Sequence, residues 1–303
     1  MQNAYEIKRR IKTIKETEQI TKAMYLISSS KLNKALGRYK SNLLYFNKIR
    51  QTLKDILMHS SDISHPFCQH REGERTAYIV IAADKGLCGS YNHNVLEAAV
   101  NHMKDKKEKY IFVVGQVARE FFIKEGYDID VEFLYASQNP TFYNAREIGE
   151  DIINLYKNNM MDEVYVVYTR IESNMSQQPK VMKLLPIELD SFKDIELEYD
   201  YSGDILYHPS PKAVFDLLIP KYVIGLIYGA LVQSFASEQQ ARMMAMDTAN
   251  KNADDMIAKL NLEYNRARQE SITNELSEIM GGVEALNKGW NKEMKKWNTK
   301  IRE

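Results

Sequence analysis

The chain has 303 residues, 44% hydrophobic and 27% charged, with 41 basic groups against 41 acidic ones. This is enough apolar content to fill a core and too much for a disordered or fibrous polymer. No run reaches 18 uninterrupted apolar residues, and the N-terminus MQNAYEIKRRIK carries charge where a secretion signal needs its apolar stretch, so a cytoplasmic start is expected. Cys68 and Cys88 are too few for a disulfide framework, which fits a reducing compartment.

Residues 1–60 read as one long amphipathic helix. From Asn3 to about Met58 there is no proline and a single glycine, Gly37, while Ala4, Ile7, Ile11 and Ile14 recur at spacings of three and four. The stripe slips to Ile20, Met24 and Ile27 and again to Leu32, Leu36, Tyr39, Leu43 and Phe46, stutters that alter local winding without ending a helix. This start is strongly basic: residues 1–40 hold ten cations against Glu6, Glu16 and Glu18, a balance of +7. Residues 61–75 read as a linker. Within it, His65, Cys68 and His70 lack a fourth zinc ligand at plausible spacing, so no metal is expected.

Residues 76–207 read as an α/β domain that ends in an acidic connector. The runs TAYIVIAA (76–83), YIFVVG (110–115), EVYVVYTR (163–170) and VMKLLPI (181–187) predict strands, with a weaker one over 128–134. Helices are expected over 92–106, 116–125 and 144–157. Alternation of this kind, with strands that are apolar almost throughout, predicts a mostly parallel, Rossmann-like sheet covered on both faces. The loop DKGLCGSYN (84–92) lies where such a fold would cradle phosphate. It has neither G-x-G-x-x-G nor G-x-x-x-x-G-K-[ST] spacing, and a tight turn is the preferred reading. Cys88 reads as a buried structural thiol, not a nucleophile, and no other catalytic constellation can be assembled. Neither a catalytic role nor a cofactor is expected. Between Leu184 and Leu206, seven acidic residues stand against Lys193 alone, a run that reads as a solvated connector.

Residues 208–286 read as the second long helix. Pro220 is expected to kink or restart it, because proline supplies no backbone N–H. Ala249, Ala253, Met256, Leu260, Tyr264 and Ala267 form one stripe, and Ile272, Leu276, Ile279, Val283 and Leu286 another at coiled-coil spacing. Helices of about 55 and 60 residues span roughly 80 and 90 Å, against about 50 Å for a compact protein of this length. The economical arrangement winds them around each other as an antiparallel shaft with the α/β domain inserted between them. Met243, Met244 and Met246 are expected to fill gaps against the first helix. Residues 287–303 carry six basic and two acidic groups, with Trp290, Met294, Trp297 and Ile301 on one face: a basic amphipathic extension.

ITKAM (20–24) with SSSKL (28–32), ADKGLCGSYN (83–92), ASEQQARMMAMDTANKNADDMI (236–257) and YNRARQESITNELSEIMGG (264–282) together resemble the γ subunit of the rotary F-type ATP synthase, bacterial type. The resemblance spans residues 3 to 286, in architecture alone over 110–205. It implies a central-stalk rotor without catalytic residues of its own, which couples rotation of the membrane c ring to the three catalytic β subunits. The implied partners are the α and β subunits, ε and the c ring, with one copy per complex, peripheral on the cytoplasmic face of the bacterial plasma membrane. Nucleic acid binding and membrane insertion are not implied.

Residue by residue, the resemblance assigns contact with β to Arg268, Gln269, Thr273 and Glu275, and to Lys8, Arg9, Arg10, Lys12, Lys22 and Met24 on the first helix. It assigns contact with the c ring and ε to Tyr207, His208 and Pro209. Asp84, Lys85, Gly86, Gly89, Glu238, Arg242 and Met246 belong to its motifs. A coiled-coil adaptor using its basic helix on nucleic acid is the competing reading, but it would need stacking aromatics among the cations, and the first 24 residues offer only Tyr5. The family pattern usually closes near Leu286, so the extension is a departure. Deleting 287–303 is expected to leave assembly intact and to alter the rate or inhibition of ATP hydrolysis. An unchanged hydrolysis profile in the truncated complex would remove that role.

Overall fold

The computed structural model describes residues 4–59, 65–134, 136–173, 176–193, 195 and 207–300. Most of the acidic connector, along with Ile301, lies outside them. Two long helices, α1 (Ala4–His59) and a C-terminal helix (Pro211–Lys300), flank the α/β elements, and the chain divides into two compact units, residues 24–246 and residues 1–23 with 247–303.

In the larger unit, β1 (Arg75–Ile81), β2 (Glu108–Val114), β3 (Val131–Phe133), β4 (Glu163–Ser173) and β5 (Ser176–Leu185) form one sheet in the order β3-β2-β1-β4-β5. The first four strands pair in parallel, and β5 returns antiparallel along β4. The connecting helices are α2 (Tyr91–Met103), α3 (Gln116–Lys124) and α4 (Phe142–Lys157). Alternate residues of each strand feed opposite cores, as a period of two requires. Tyr78, Val80, Ile111 and Val113 pack against Val95 and Leu96 of α2 and Ala118 and Phe122 of α3. Ala77, Ile79, Ile81, Phe112 and Val114 face α4, α1 and the first part of the C-terminal helix. The sheet is therefore covered on both faces, as its nearly continuous apolar strands predict.

The C-terminal helix, α5, is one uninterrupted element of 90 residues. It corrects the expectation that Pro220 restarts the helix and runs on past Leu286 through the extension. Its first part is held by the core: Phe215, Ile219, Tyr222, Val223, Ile227 and Leu231 are fully or almost fully buried. Burial here outweighs the local cost of proline, about 3 kcal/mol in a helix interior. The same helix contains an 18-residue window apolar enough to cross a membrane, and half of that window is buried inside the protein, as in a core helix. Close to the proline, His65 accepts from the Phe67 N–H at Nδ1 (3.2 Å), so Nε2 carries the hydrogen and donates to Asp216 at 2.7 Å.

Within this unit α1 and α5 are antiparallel. Phe46 stacks on Tyr222 with centroids 5.9 Å apart, and Gln233 donates to the Tyr39 hydroxyl at 2.9 Å, so α1 numbers fall as α5 numbers rise. Gly225 allows the approach, since a Cβ there would lie 2.5 Å from the Phe46 ring. In the smaller unit Thr21 donates to Asn250, and Ile7, Ile11 and Ala253 are buried. With Thr21 level with Asn250 and both helices rising 1.5 Å per residue, Ala4 is level with about residue 267. The stripe Ile272–Leu286 therefore has no α1 opposite it. All five of its residues are exposed, a correction to the coiled-coil pairing expected there. Of the methionines, Met246 is buried and Met244 exposed.

At the start of the sheet, the Asp162 carboxylate accepts from Arg75 Nε at 2.9 Å, Nη2 at 2.8 Å and the backbone N–H at 3.1 Å, tying β4 to β1. These bonds hold the buried carboxyl below its ordinary range. A carboxyl with a lowered folded value stabilises above the unfolded value and loses that contribution as pH falls through the folded one. Asp162→Asn is expected to cost about 3 kcal/mol near neutrality, as for one partner of a buried pair. Urea denaturation at a series of pH values should show this deficit shrinking below about pH 4.

Candidate functional site

The loop after β1 lies at the carboxyl end of the sheet, where open α/β folds bind phosphate. Here the loop itself is bound by α5 of the same chain. Leu87 and Gly89 adopt positive φ (63° and 58°), turning the loop back so that the Lys85 and Gly86 carbonyls meet Arg242 of α5. Arg242 Nη2 donates to them at 3.2 and 3.1 Å, while Nη1 binds the Glu238 carboxylate one helical turn away. Asp84 Oδ1 accepts the Gln116 N–H at 2.8 Å, which satisfies a free donor at the start of α3. Asn92 closes the loop: its Oδ1 accepts from Ala83 N at 2.9 Å and its Nδ2 donates to Cys88 Sγ at 3.3 Å.

The electrostatics are those of a clamp. Glu238 is 7% exposed, and burial pushes its carboxyl up despite Arg242. Cys88 is 1% exposed, and burial raises its thiol too, which removes the thiolate that a nucleophile needs. Two further α5 side chains grip β4: Ser234 Oγ accepts from Thr169 N at 3.2 Å, and Ser237 Oγ donates to Thr169 O at 3.1 Å. Around the clamp opens a cleft of about 570 Å³ lined by Met24, Lys31 and Arg38 of α1, Leu87, and Pro140 of the loop before α4. Arg38 reaches that loop, donating to Asn139 at 2.8 Å.

The motif residues Asp84, Lys85, Gly86, Glu238 and Arg242 thus meet in one place. Gly89 supplies a turn and Met246 a buried contact. The predicted contact residues do not cluster. Lys8, Arg9, Arg10 and Lys12 are exposed on α1, Lys22 is exposed and bound to Glu18, and Met24 is half-buried. Arg268, Gln269, Thr273 and Glu275 are exposed on the part of α5 that outlasts α1, where Thr273 donates to the Gln269 carbonyl at 2.9 Å. His208 and Pro209 are exposed, but the Tyr207 hydroxyl is committed internally, donating to Asp55. The other candidate centre is committed as well: both His65 nitrogens are engaged, and burial lifts the Cys68 thiol to about 11. Among the described residues no group of three His, Cys, Asp or Glu could hold a metal ion. Sequence reasoning missed Asn92 as the loop's anchor, although it stands inside the quoted motif. It also missed the Arg38–Asn139 contact, for which the sequence carries no signal.

Arg242→Ala leaves Glu238 buried without its cationic partner, with only the Gln239 amide donating to it, and frees two loop carbonyls. A cost of about 3–5 kcal/mol is expected, with a rise in the rate at which a thiol reagent labels Cys88 in a Cys68→Ser background. Replacing Glu238 by Gln and Arg242 by Met together should cost less than Arg242→Ala alone.

A family model described as ATP synthase matches residues 3–286. The ATP synthase gamma chain of Ruminiclostridium cellulolyticum is 48% identical over 290 residues, which cover 94% of this chain and 99% of that one. That of Acetivibrio thermocellus is 45% identical, covering 94% and 100%. The fold recurs in a rotor chain of the Euglena gracilis mitochondrial ATP synthase, with a TM-score of 0.64, 17% identity and 89% of this chain covered, 98% of that one. With nearly full-length relatives far above the threshold of chance, the chain belongs to the family of ATP synthase gamma chains.

Proposed function

We propose that the chain is the rotating central stalk of a bacterial F-type ATP synthase, present once per complex, and that it couples rotation of the membrane c ring to the three catalytic β subunits. The observation that carries this reading is the unpaired part of α5. Ile272, Leu276, Ile279, Val283 and Leu286 lie exposed along one line of a helix, with no partner among the described residues. A stripe of that length in water needs a sleeve, and a ring of alternating α and β subunits supplies one. The basic α1 surface (Lys8, Arg9, Arg10, Lys12) suits a sliding contact with acidic β loops, because charge gives orientation more than static affinity.

Catalytic groups belong to β in this reading, and the chain acts by shifting populations: a β conformation is favoured only as far as its contacts with the shaft differ between states. Arg268 and Gln269 offer exposed donors to β, while His208 and Pro209 face the c ring and ε on the cytoplasmic side of the membrane. A tagged chain should co-purify α and β in threefold excess over itself; nucleic acid in their place would sink the proposal. Replacing Arg268 and Gln269 by alanine together should leave assembly intact and lower ATP-driven turnover by about tenfold, equivalent to 1.4 kcal/mol.

A further inference from the structure

A second groove lies in the larger unit. It encloses about 620 Å³ between α1, the first part of α5 and the β4–β5 hairpin. Arg50, Arg170, Lys180, Lys183 and Lys193 line it, and among the described residues no aspartate or glutamate does. Three of these cations are committed. Arg50 donates to the Ser191 carbonyl at 2.8 Å, Lys183 pairs with Glu163 and Glu188, and Lys193 has an interaction of its own.

Arg170 and Lys180 are different: both are exposed, and neither has a carboxylate partner among the described residues. Tyr168 is paired directly with Lys180 across the hairpin, and Arg170 lies two residues further along the same face. That register makes Arg170 and Lys180 diagonal neighbours about 7–8 Å apart. Two like charges so placed repel, and an anion between them would relieve the cost. The floor is apolar and aromatic, with Tyr39, Phe46 and Tyr168. It is left open by Gly229, where a Cβ would meet nothing within 4 Å. The volume lies within the range of small-molecule sites, about 300–1,000 Å³, and a few polar groups over an apolar bed is their usual make-up.

We propose that this groove is a binding site for a phosphate-bearing ligand, with Arg170 and Lys180 holding the phosphates and the tyrosine-lined floor receiving the rest. Nothing in this assignment depends on the rotor reading. Soluble phosphates and lipid headgroups share the chemistry, and separate probes tell them apart.

The test is calorimetric titration of the full chain with pyrophosphate, with ATP and with phosphatidylglycerol vesicles. One site per chain is expected, of micromolar to sub-millimolar affinity and weakening as salt rises. Binding of pyrophosphate or ATP assigns a soluble ligand, and binding of vesicles alone assigns a lipid headgroup. Replacing Arg170 and Lys180 by alanine together should weaken binding at least about tenfold. Gly229→Leu should block it by filling the floor, with helix content preserved because leucine favours helix over glycine. The proposal is overturned if no probe binds below about 1 mM, or if both variants bind as the parent does. It is equally overturned if pyrophosphate binding disappears on assembly with α, β and ε, which would give the groove to a partner's acidic surface.

Discussion

The burial of the first part of α5 against the sheet is the interaction on which the other features depend. Phe215, Ile219, Tyr222, Val223 and Ile227 enter the core that the strands build with α1 and α4. This fixes where the helix begins and which of its faces points outward. The polar grips at Ser234 and Ser237 lock α5 to β4, and Glu238 and Arg242, one further turn on, seize the loop after β1. The family motifs around residues 84 and 238, far apart in sequence, thus have one physical purpose: they join the sheet to the helix that leaves it.

This arrangement sets the loop after β1 apart from the phosphate cradle of a nucleotide-binding fold. In doubly wound sheets the crevice after β1 is open, and backbone donors face a phosphate. Here carbonyls face inward to a guanidinium, the opposite polarity, and the buried Glu238 neutralises that cation. The domain has become a mount for a helix. The zero net charge is likewise a sum over unlike regions: a basic α1, an acidic middle, and a groove on the hairpin that carries five cations over an apolar floor.

Much of the architecture was legible because strong periodicities leave little freedom. The β-branched runs at 76–83, 110–115 and 163–170 became β1, β2 and β4 with shifts of a few residues at their ends. Only three residues of the weaker 128–134 run became β3. Pro220 does not restart α5, one of the two outcomes expected of it, because a local rule that prices proline in an isolated helix takes no account of core side chains on either side of it. The stripe at 272–286 misled differently: its spacing is that of a coiled coil, but spacing does not say whose surface completes it. Tyr207 was read as a contact residue, and only the three-dimensional approach of Asp55, 152 positions away in sequence, shows that its hydroxyl is already engaged. The same holds for Arg242, whose carbonyl partners lie more than 150 residues earlier.

The bond between His65 and Asp216 acquires a mechanical meaning from its position. Proline at 220 has no N–H to offer the carbonyl four residues before it, and that carbonyl belongs to Asp216. The residue whose backbone loses its helical partner is therefore the one whose side chain is held by a histidine from outside the helix. The turn of α5 that lacks this backbone bond is splinted, within the domain and at the anchored end. Torsion reaching this turn would meet core packing on both sides of it, from Phe215 and Ile219 to Tyr222 and Val223.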